Sequence, residues 1–410
     1  AEGGQAGNFT GRKSPTGSSN CTESCKGGRS EVRILHVNER SGFFGGVERI
    51  LHDTAASLSA TGWPQALLHD SDSTDKEFET PFELTSRNTS VAGDFRPDVI
   101  LVHKYSNLER LESLASAWPA VRMVHDHDLF CLRKHKYRPL HSTPCERAAG
   151  AACYTGLCFL QRSAPGKKMP LTVRGLQRQR REMGANSAMR RFIVGSEWMR
   201  HQLCINGFRD HDIDIIHPIP RALEKRETQT PPGGKEILYV GQIVRGKGVD
   251  LLLRALAMIE HPWTATIVGD GNLLPHCRSL AKRIGIADRV CFTGWVPHEQ
   301  LELHYARARF SVVPSRWPEP FGMVGPEAMA RGRPVIAFDS GGIRDWLRDQ
   351  QTGLLVKPGD VNGMAQAIST LLTDDQMVAD MGSAAAIDVS GRLSHQRYLE
   401  AMKTTLELST

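Results

Sequence analysis

The chain has 410 residues with a formal net charge of +6, and 40% of its residues are hydrophobic and 23% charged. This length exceeds one ordinary hydrophobic core, so we expect two domains, and the composition is typical of a soluble globular protein. No apolar run approaches the roughly 18–20 residues of a membrane-spanning helix, which argues against a helical membrane protein.

The chain opens with a polar stretch followed by a predicted α/β domain. Residues 1–30 carry one aromatic and almost no aliphatic side chain, so we predict a disordered tail. The first domain is predicted over residues 31–225, beginning with a strand, a glycine-containing loop and a helix that stops at Gly62. Its predicted elements are strands at 32–38, 97–103, 120–127, 190–196 and 212–218, and helices at 47–62 and 107–118.

The same alternation then starts again. A polar, Pro-Pro-Gly-Gly stretch at 226–234 is predicted to be a linker, and residues 235–390 form the second predicted domain. Its predicted strands are 236–241, 265–271, 290–294, 310–315, 334–339 and 353–358, and its predicted helices are 248–259, 273–285, 299–308 and 361–374. The final stretch, 391–410, is predicted to be a helix that returns to the first domain.

Each predicted domain begins with strand, glycine loop and helix, which is typical of a doubly wound α/β fold. Gly45 and Gly46 stand between the first strand and its helix, where backbone N–H groups can approach an anion. Arg245 and Lys247 occupy the corresponding turn of the second domain, where cations suit a diphosphate. Since no G-x-G-x-x-G motif is present, a dinucleotide oxidoreductase is disfavoured.

The stretch "PEPFGMVGPEA" places two carboxylates, Glu319 and Glu327, around an apolar, glycine-rich loop. Carboxylates accept pairs of hydroxyl hydrogens, as sugars and riboses present them, and the N–H groups of Phe321, Gly322 and Met323 add donors. The alternative interpretation is a pair of ordinary surface acids.

The stretch "PEPFGMVGPEAMARGRPVIAFDSGGIRD" resembles the Glu-x₇-Glu region of glycosyltransferase family 4. The segments "GGVER", "SEWMR", "YVGQIVRGKGVDLLLRAL", "IVGDGNL", "RVCFTGWVP" and "TGLLVKPGD" agree in order and spacing. The resemblance implies the GT-B fold, in which two Rossmann-like doubly wound domains face a central cleft, and transfer with retention at the anomeric carbon. It is strongest over residues 236–385 and says nothing about the tail.

The resemblance also implies roles for the donor-binding residues. Glu327 is expected to hold the ribose diol, Glu319 the donor sugar and Lys247 the leaving diphosphate. Gly46, beside Gly45, is expected to face the distal phosphate, and Val296 in the "GWVP" turn to lie beside the base.

The sequence departs from the family at Gln242, where an arginine is usual. Arg245, three residues later, is expected to supply that charge, or the site binds diphosphate more weakly.

A catalytic histidine is expected near the donor sugar, and the resemblance assigns it to His125 at the end of a predicted strand. His127 is the alternative, and His103, at the end of the preceding strand, is interpreted as a core histidine.

Four of the nine cysteines, Cys131, Cys145, Cys153 and Cys158, lie within an insertion at 131–158. Four thiols around one loop can bind structural zinc, and the alternatives are free thiols, disulfides or an iron–sulfur cluster. The odd cysteine total favours a cytoplasmic protein with mostly reduced thiols.

Residues 160–200 contain ten lysines and arginines but only two glutamates. They indicate either a solvated basic helix or a face for anionic lipid at the inner membrane surface. Nucleic acid is disfavoured as a partner because no aromatic residues interleave for base stacking.

These patterns predict a retaining enzyme that moves a sugar from a nucleotide-sugar, with UDP-sugar favoured, to a glycan or lipid-linked acceptor, without a cofactor for the transfer. The alternatives are a sugar-nucleotide epimerase on the same fold and a catalytically silent subunit that binds glycan or lipid.

Overall fold

The computed structural model describes residues 31–72, 75–138, 143–162, 171–223 and 231–410. The predicted tail at 1–30 and residues 226–230 of the predicted linker lie outside the described residues.

Fifteen strands are formed by the described residues. In chain order they are β1 Ile34–Asn38, β2 Gln65–His69, β3 Leu84–Ser86, β4 Val99–Val102, β5 Ala120–Val124, β6 Leu160–Arg162, β7 Leu171–Val173, β8 Arg191–Val194, β9 Ile213–Ile215, β10 Glu236–Val240, β11 Thr264–Val268, β12 Val290–Gly294, β13 Phe310–Val313, β14 Val335–Phe338 and β15 Gly353–Val356.

Thirteen α-helices are formed by the same residues. They are α1 Gly46–Ser59, α2 Ser90–Phe95, α3 Leu108–Ala117, α4 Ala152–Thr155, α5 Leu176–Ala185, α6 Glu197–Ile205, α7 Val249–Leu256, α8 Leu274–Arg283, α9 Leu301–Arg307, α10 Val324–Met329, α11 Val361–Thr373, α12 Asp375–Gly391 and α13 His395–Glu407.

Two parallel sheets contain thirteen of these strands, and β6 and β7 form a separate antiparallel pair. The first has the order β3-β2-β1-β4-β5-β8-β9 and the second the order β12-β11-β10-β13-β14-β15. In both, the chain moves outward from the first strand in one direction and then returns to continue on its other side, which is the doubly wound Rossmann order. The strands β1, β4 and β14 are buried along their whole length, as expected where helices cover both faces of a parallel sheet.

The strand order fixes where loops can meet. The order reverses between β1 and β4 in the first sheet and between β10 and β13 in the second. Loops at the carboxyl ends of such neighbouring strands diverge and leave a crevice for ligands.

The last two helices connect the two domains. Helix α12 lies against the second domain, where Val378 and Met381 join its core. Helix α13 packs on α1: Tyr398 hydrogen-bonds Thr54, and the His395 ring lies 2.8 Å from the Ser57 hydroxyl. The final helix therefore completes the first domain, although it follows the second domain in sequence.

Within the described residues, no helix is long and apolar enough to cross a lipid bilayer.

Candidate functional site

Gly45, Lys247 and Glu319 lie on loops beside the two positions where strand order reverses. Gly45 and Gly46 follow β1, and Lys247 follows β10 in a 3₁₀ turn, Arg245–Lys247. The loop after β13, residues 314–323, carries Glu319 and is called the glutamate loop below. The sheet topology thus brings the two candidate loops of the second domain to the same edge.

Lys247 and Glu319 form a buried ion pair. The Lys247 Nζ lies 2.7 Å from Oε1 and 2.9 Å from Oε2 of Glu319, whose side chain is 5% exposed. The Ser315 hydroxyl and the Trp317 Nε1–H also donate to Oε1, the latter at 3.1 Å. The predicted diphosphate-binding lysine and the predicted sugar-binding glutamate therefore contact each other directly.

These contacts set the protonation state of Glu319. Burial on its own would raise the pKa of the carboxyl, but the Lys247 charge and the donated hydrogen bonds outweigh it and lower the pKa. Glu319 is therefore an anion at neutral pH, with its charge matched by Lys247.

The glutamate loop also presents free donors. Among the described residues, no acceptor lies within hydrogen-bond range of the N–H groups of Phe321, Gly322 and Met323. Gly322 holds its turn at φ 91°, a conformation that favours glycine. The Trp346 indole donates to the Phe321 carbonyl at 2.7 Å and so anchors the loop. This segment can donate to an oxygen-rich ligand without unfolding any secondary structure.

Glu327 is held inside α10. Its side chain is largely buried, and the Tyr305 hydroxyl donates to Oε2 at 3.4 Å. A hydrogen bond of that length is weak, so the carboxylate keeps most of its capacity to accept from a ligand. Its role toward a ribose stays a prediction.

Gly46 begins the fourteen-residue helix α1 and faces the glutamate loop across the cleft. A Cβ built at Gly46 would lie 2.6 Å from the Met323 Cε, so a larger residue at this position would require the end of the Met323 side chain to move. The helix has no side-chain N-cap hydrogen bond at Gly45. The predicted phosphate-facing glycine therefore does lie opposite the predicted sugar pocket.

Three side chains of the first domain contact the glutamate loop. His127 Nε2 donates to the Pro318 carbonyl at 2.9 Å, and Ser196 Oγ donates to the Pro320 carbonyl at 2.5 Å. The His217 ring stacks on Phe321, with centroids 5.2 Å apart. The sequence offered His127 as an alternative catalytic histidine, and Ser196 begins the segment "SEWMR", but no contact of Ser196 or His217 with this loop was predicted.

The cysteine-containing insertion also reaches this site. The rings of His135 and Trp317 lie 4.8 Å apart, and Trp317 covers Gly246 so closely that a Cβ there would lie 2.5 Å from the indole. Trp317 is therefore held between the insertion and the Arg245–Lys247 turn, close to the Lys247 charge. Sequence reasoning missed His135 and Trp317 as parts of the site.

His125 follows β5 directly, and no contact between its side chain and the glutamate loop occurs among the described residues. Its Nε2 lies 3.0 Å from His103 Nδ1, inside the first domain, and burial lowers its pKa to about 4. His103 is buried, as its interpretation as a core histidine requires. The histidine in hydrogen-bond contact with the glutamate loop is His127, so the catalytic role predicted for His125 stays a prediction.

The remaining donor-site predictions lie at the rim of the second domain. Arg245 is exposed and lines a cavity with Arg316 and Asp250, and the Gln242 side chain is exposed. Val296 is partly buried against the core, while its neighbour Trp295 is 74% exposed. Compensation for Gln242 by Arg245 and contact of the base with Val296 stay predictions.

The four cysteines of the insertion surround a buried lysine. Lys136, 2% exposed, donates from Nζ to the Arg147 carbonyl at 2.5 Å, and the Cys145 N–H donates to the Lys136 carbonyl. Burial, reinforced by the neighbouring thiols, raises the pKa of the Cys158 thiol to about 11.

Among the described residues, no group of three or more His, Cys, Asp or Glu side chains is arranged to hold a metal ion, and Cys131, Cys145, Cys153 and Cys158 are free thiols. The geometry therefore gives the expected zinc site no support.

Several described cations of the basic stretch have carboxylate partners within the first domain. Arg174 and Arg178 pair with Glu182, and Arg191 pairs with Asp214 at 2.5 Å. Lys167 and Lys168 lie outside the described residues. Cations that already have carboxylate partners are poor evidence for a lipid-binding face, so the expected membrane contact is not supported.

Comparison with known proteins gives a consistent assignment for the second domain. Residues 220–388 match the family model "Glycosyl transferases group 1". A GDP-mannose-dependent alpha-(1-6)-phosphatidylinositol monomannoside mannosyltransferase of Mycolicibacterium smegmatis is 34% identical over 183 residues, covering 42% of this chain and 48% of that protein. A D-inositol 3-phosphate glycosyltransferase of Nocardia farcinica is 35% identical over 190 residues, covering 44% and 42%. The match thus spans less than half the length of each of these two relatives.

A solved structure resembles nearly the whole chain. The crystal structure of Anabaena Alr3699/HepE in complex with UDP aligns with a TM-score of 0.69 over 92% of this chain and 100% of that one, at 20% identity. This likeness confirms the predicted two-domain GT-B fold, with two Rossmann-like parallel-sheet domains.

Proposed function

We propose that this chain is a retaining glycosyltransferase that moves a sugar from a nucleotide-sugar to an acceptor hydroxyl. The observation that carries the proposal is the Lys247–Glu319 pair, set beside the free N–H groups of residues 321–323 and opposite the N-terminus of α1. A lysine, a carboxylate and bare N–H groups at one crevice suit a diphosphate joined to a sugar.

The donor diphosphate would compete with Glu319 for Lys247. A phosphate oxygen at Nζ would draw the ammonium from the carboxylate, and Glu319 would then have lone pairs free for sugar hydroxyls. The buried pair is thus a resting arrangement that keeps both charges matched until donor arrives. Ser315 and Trp317 keep Glu319 oriented during the exchange because they donate to it from the same loop.

In the transfer step, the bond between the anomeric carbon and the diphosphate oxygen breaks, and the diphosphate leaves with the electron pair. The acceptor oxygen bonds to the same face of that carbon, and its proton passes to the departing diphosphate. Lys247 and the N–H groups of the glutamate loop stabilise the charge that develops on the leaving group. The step needs no nucleophile from the protein, since the acceptor attacks the face that the diphosphate leaves.

The names of the related proteins guide the choice of donor and acceptor. UDP is bound in the Anabaena structure, while the mannosyltransferase is named as GDP-mannose-dependent. We place UDP-sugars first and GDP-sugars second. Both relatives are named for inositol-containing acceptors, which suits a hydroxyl-rich acceptor, glycan or lipid-linked.

The test is slow release of nucleotide from UDP-, GDP- and ADP-sugars without acceptor. Release from one donor is expected in the wild-type protein, and Lys247→Ala should lower it by on the order of 10²–10³. Glu327→Gln should weaken donor binding through loss of ribose contacts. Lys282→Ala, on the exposed side of α8, is the matched lysine control and should leave release unchanged.

Three outcomes would redirect the assignment. Conversion of one nucleotide-sugar into its epimer would identify a sugar-nucleotide epimerase. Thermal stabilisation by nucleotide without turnover would indicate a silent binding subunit. Equal activity of Lys247→Ala and wild type would contradict the role of the ion pair.

A further inference from the structure

A chain of buried hydrogen bonds crosses the first sheet from strand to strand. Gln65 Oε1 lies 2.7 Å from His36 Nε2, His36 Nδ1 lies 3.0 Å from His103 Nε2, and His103 Nδ1 lies 3.0 Å from His125 Nε2. Gln65 is on β2 and His36 on β1, while His103 and His125 directly follow β4 and β5. The chain therefore follows the strand order β2-β1-β4-β5.

The members are buried and their rings are aligned. Gln65, His36 and His103 are each at most 1% exposed. The planes of His36 and His103 are inclined by 11°, and those of His103 and His125 by 17°. Burial lowers the pKa of His36 to about 4 and that of His103 well below its usual value, so both rings are neutral near pH 7.

The direction of the chain is fixed at Gln65. Its Nε2 donates to the Trp63 carbonyl at 2.9 Å, so its Oε1 is the atom that faces His36. An oxygen of this kind accepts only, which requires His36 to carry its proton on Nε2.

A neutral imidazole has a single N–H, so each following ring repeats this arrangement. His36 Nδ1 accepts from His103 Nε2–H, and His103 Nδ1 accepts from His125 Nε2–H. His125 is left with an unprotonated Nδ1.

The unprotonated Nδ1 belongs to a ring that is partly exposed. His125 lines a polar cavity with Glu39, Lys104 and Asp126, and no hydrogen-bond partner of His125 Nδ1 occurs among the described residues. The nearby Lys104 ammonium is 2.8 Å from Asp126, so its charge is already matched. Nδ1 is therefore an acceptor suited to a hydroxyl hydrogen.

We propose that Gln65, His36 and His103 are positioning residues that hold His125 in its Nε2–H tautomer, so that Nδ1 accepts a hydrogen bond from a sugar hydroxyl. This inference rests on the proposed glycosyl transfer for the identity of the ligand. The hydroxyl belongs either to the donor sugar or to the acceptor. Through this chain, the Gln65 amide, which does not contact the ligand, determines which nitrogen of the His125 ring accepts a hydrogen bond.

The direct test is nitrogen NMR of protein labelled with ¹⁵N-histidine, with the His125 signals assigned from their loss in His125→Asn. In the wild type, the spectrum should show one tautomer with the proton on Nε2. Gln65→Leu removes the acceptor that sets the direction and should produce a mixture of tautomers. Gln65→Glu retains an oxygen toward His36 and should restore the wild-type pattern.

Kinetics provides a second measurement. Gln65→Leu should lower kcat roughly five- to tenfold, the value of one neutral hydrogen bond, while affinity for free UDP stays unchanged. Gln65→Glu should recover most of the rate. Leu67→Ala, at a fully buried position of the same strand, destabilises the domain outside the hydrogen-bond chain and should leave kcat unchanged.

The two measurements show whether the hydroxyl belongs to the donor or to the acceptor. They also distinguish an error in the proposed tautomer from an error in the proposed function. Equal losses in donor hydrolysis and in transfer place the hydroxyl on the donor sugar, and a loss confined to transfer places it on the acceptor. A wild-type proton on Nδ1, or an unchanged tautomer in Gln65→Leu, would overturn the proposal even in an active enzyme. Absence of all turnover would refute the proposed function, while the NMR result would still decide the tautomer.

Discussion

Replacing Lys247 by methionine tests whether the buried pair is the electrostatic centre of the site. Methionine keeps an apolar stem beside Trp317 but removes the charge that lies 2.7 Å from Glu319. Removing one partner of a buried pair costs about 3–5 kcal/mol because the other charge stays buried. Since Ser315 and Trp317 still donate to Glu319, we expect about 3 kcal/mol, the lower end of that range.

The double variant Lys247→Met/Glu319→Gln separates the lost charge from lost packing. With both charges removed, its free energy of unfolding should exceed that of Lys247→Met alone, with a coupling energy of about 2 kcal/mol. Urea unfolding of the four proteins at pH 7.5 provides the measurement. Additive effects, or a Lys247→Met cost below about 1 kcal/mol, would refute the reasoning.

The pH dependence of stability tests the direction of the Glu319 pKa shift. In the wild type the pKa of Glu319 is lowered, so its stabilising contribution is present above its ordinary value of 4.5 and is lost as pH falls through the folded value. Without Lys247, burial dominates and raises that pKa, so the variant regains relative stability on acidification. The free energy of unfolding of Lys247→Met should therefore come closer to that of the wild type as the pH is lowered from 7 toward 5. A gap that widens on acidification would contradict this account.

Three further predictions concern the core and the cleft. Urea unfolding should show that stability decreases as pH falls from about 6.5 toward 4, because buried histidines such as His36 have their pKa lowered to about 4 and the unfolded chain binds the protons more readily; His36→Gln should make this decrease less steep. Gly325→Ala should lower the free energy of unfolding by about 1–3 kcal/mol because its Cβ would lie 2.2 Å from the Trp346 ring, whereas Gly184→Ala, with no neighbour within 4 Å, should raise it by roughly 0.5–1 kcal/mol. Gly46→Ala should keep the fold, since the flexible end of Met323 can move, but calorimetry should show weaker binding of nucleotide-sugar.

The alternation of apolar runs predicted most of the second domain. Each of its six predicted strands occurs, and the strand at 290–294 has the predicted bounds. In the first domain, the strands β2 and β3 were not predicted. Strand β2 is a run of only five residues after Pro64, and β3 contains a single aliphatic residue, Leu84. Such short segments become strands through pairing with β1, which is a tertiary effect and leaves little local pattern.

The candidate site was predictable where loop position decides it. Lys247 and Glu319 follow the neighbouring strands β10 and β13 of the second sheet, so strand order alone brings them to one crevice, whereas Gly46 reaches it through the packing of the first domain. The orientation of His125 depends on rings from two other strands, and the contact of His127 with Pro318 depends on how the domains pack. Neither can be read from a spacing in the sequence.

The return of α13 to the first domain has a consequence for how the protein is made. Thr54 and Ser57 on α1 obtain their partners Tyr398 and His395 only after the entire second domain has been translated. Domains that emerge first usually fold first, but here one face of α1 in the first domain is covered by a helix encoded after the second domain. The contacts that cover α1 can therefore form only after both Rossmann units have been translated.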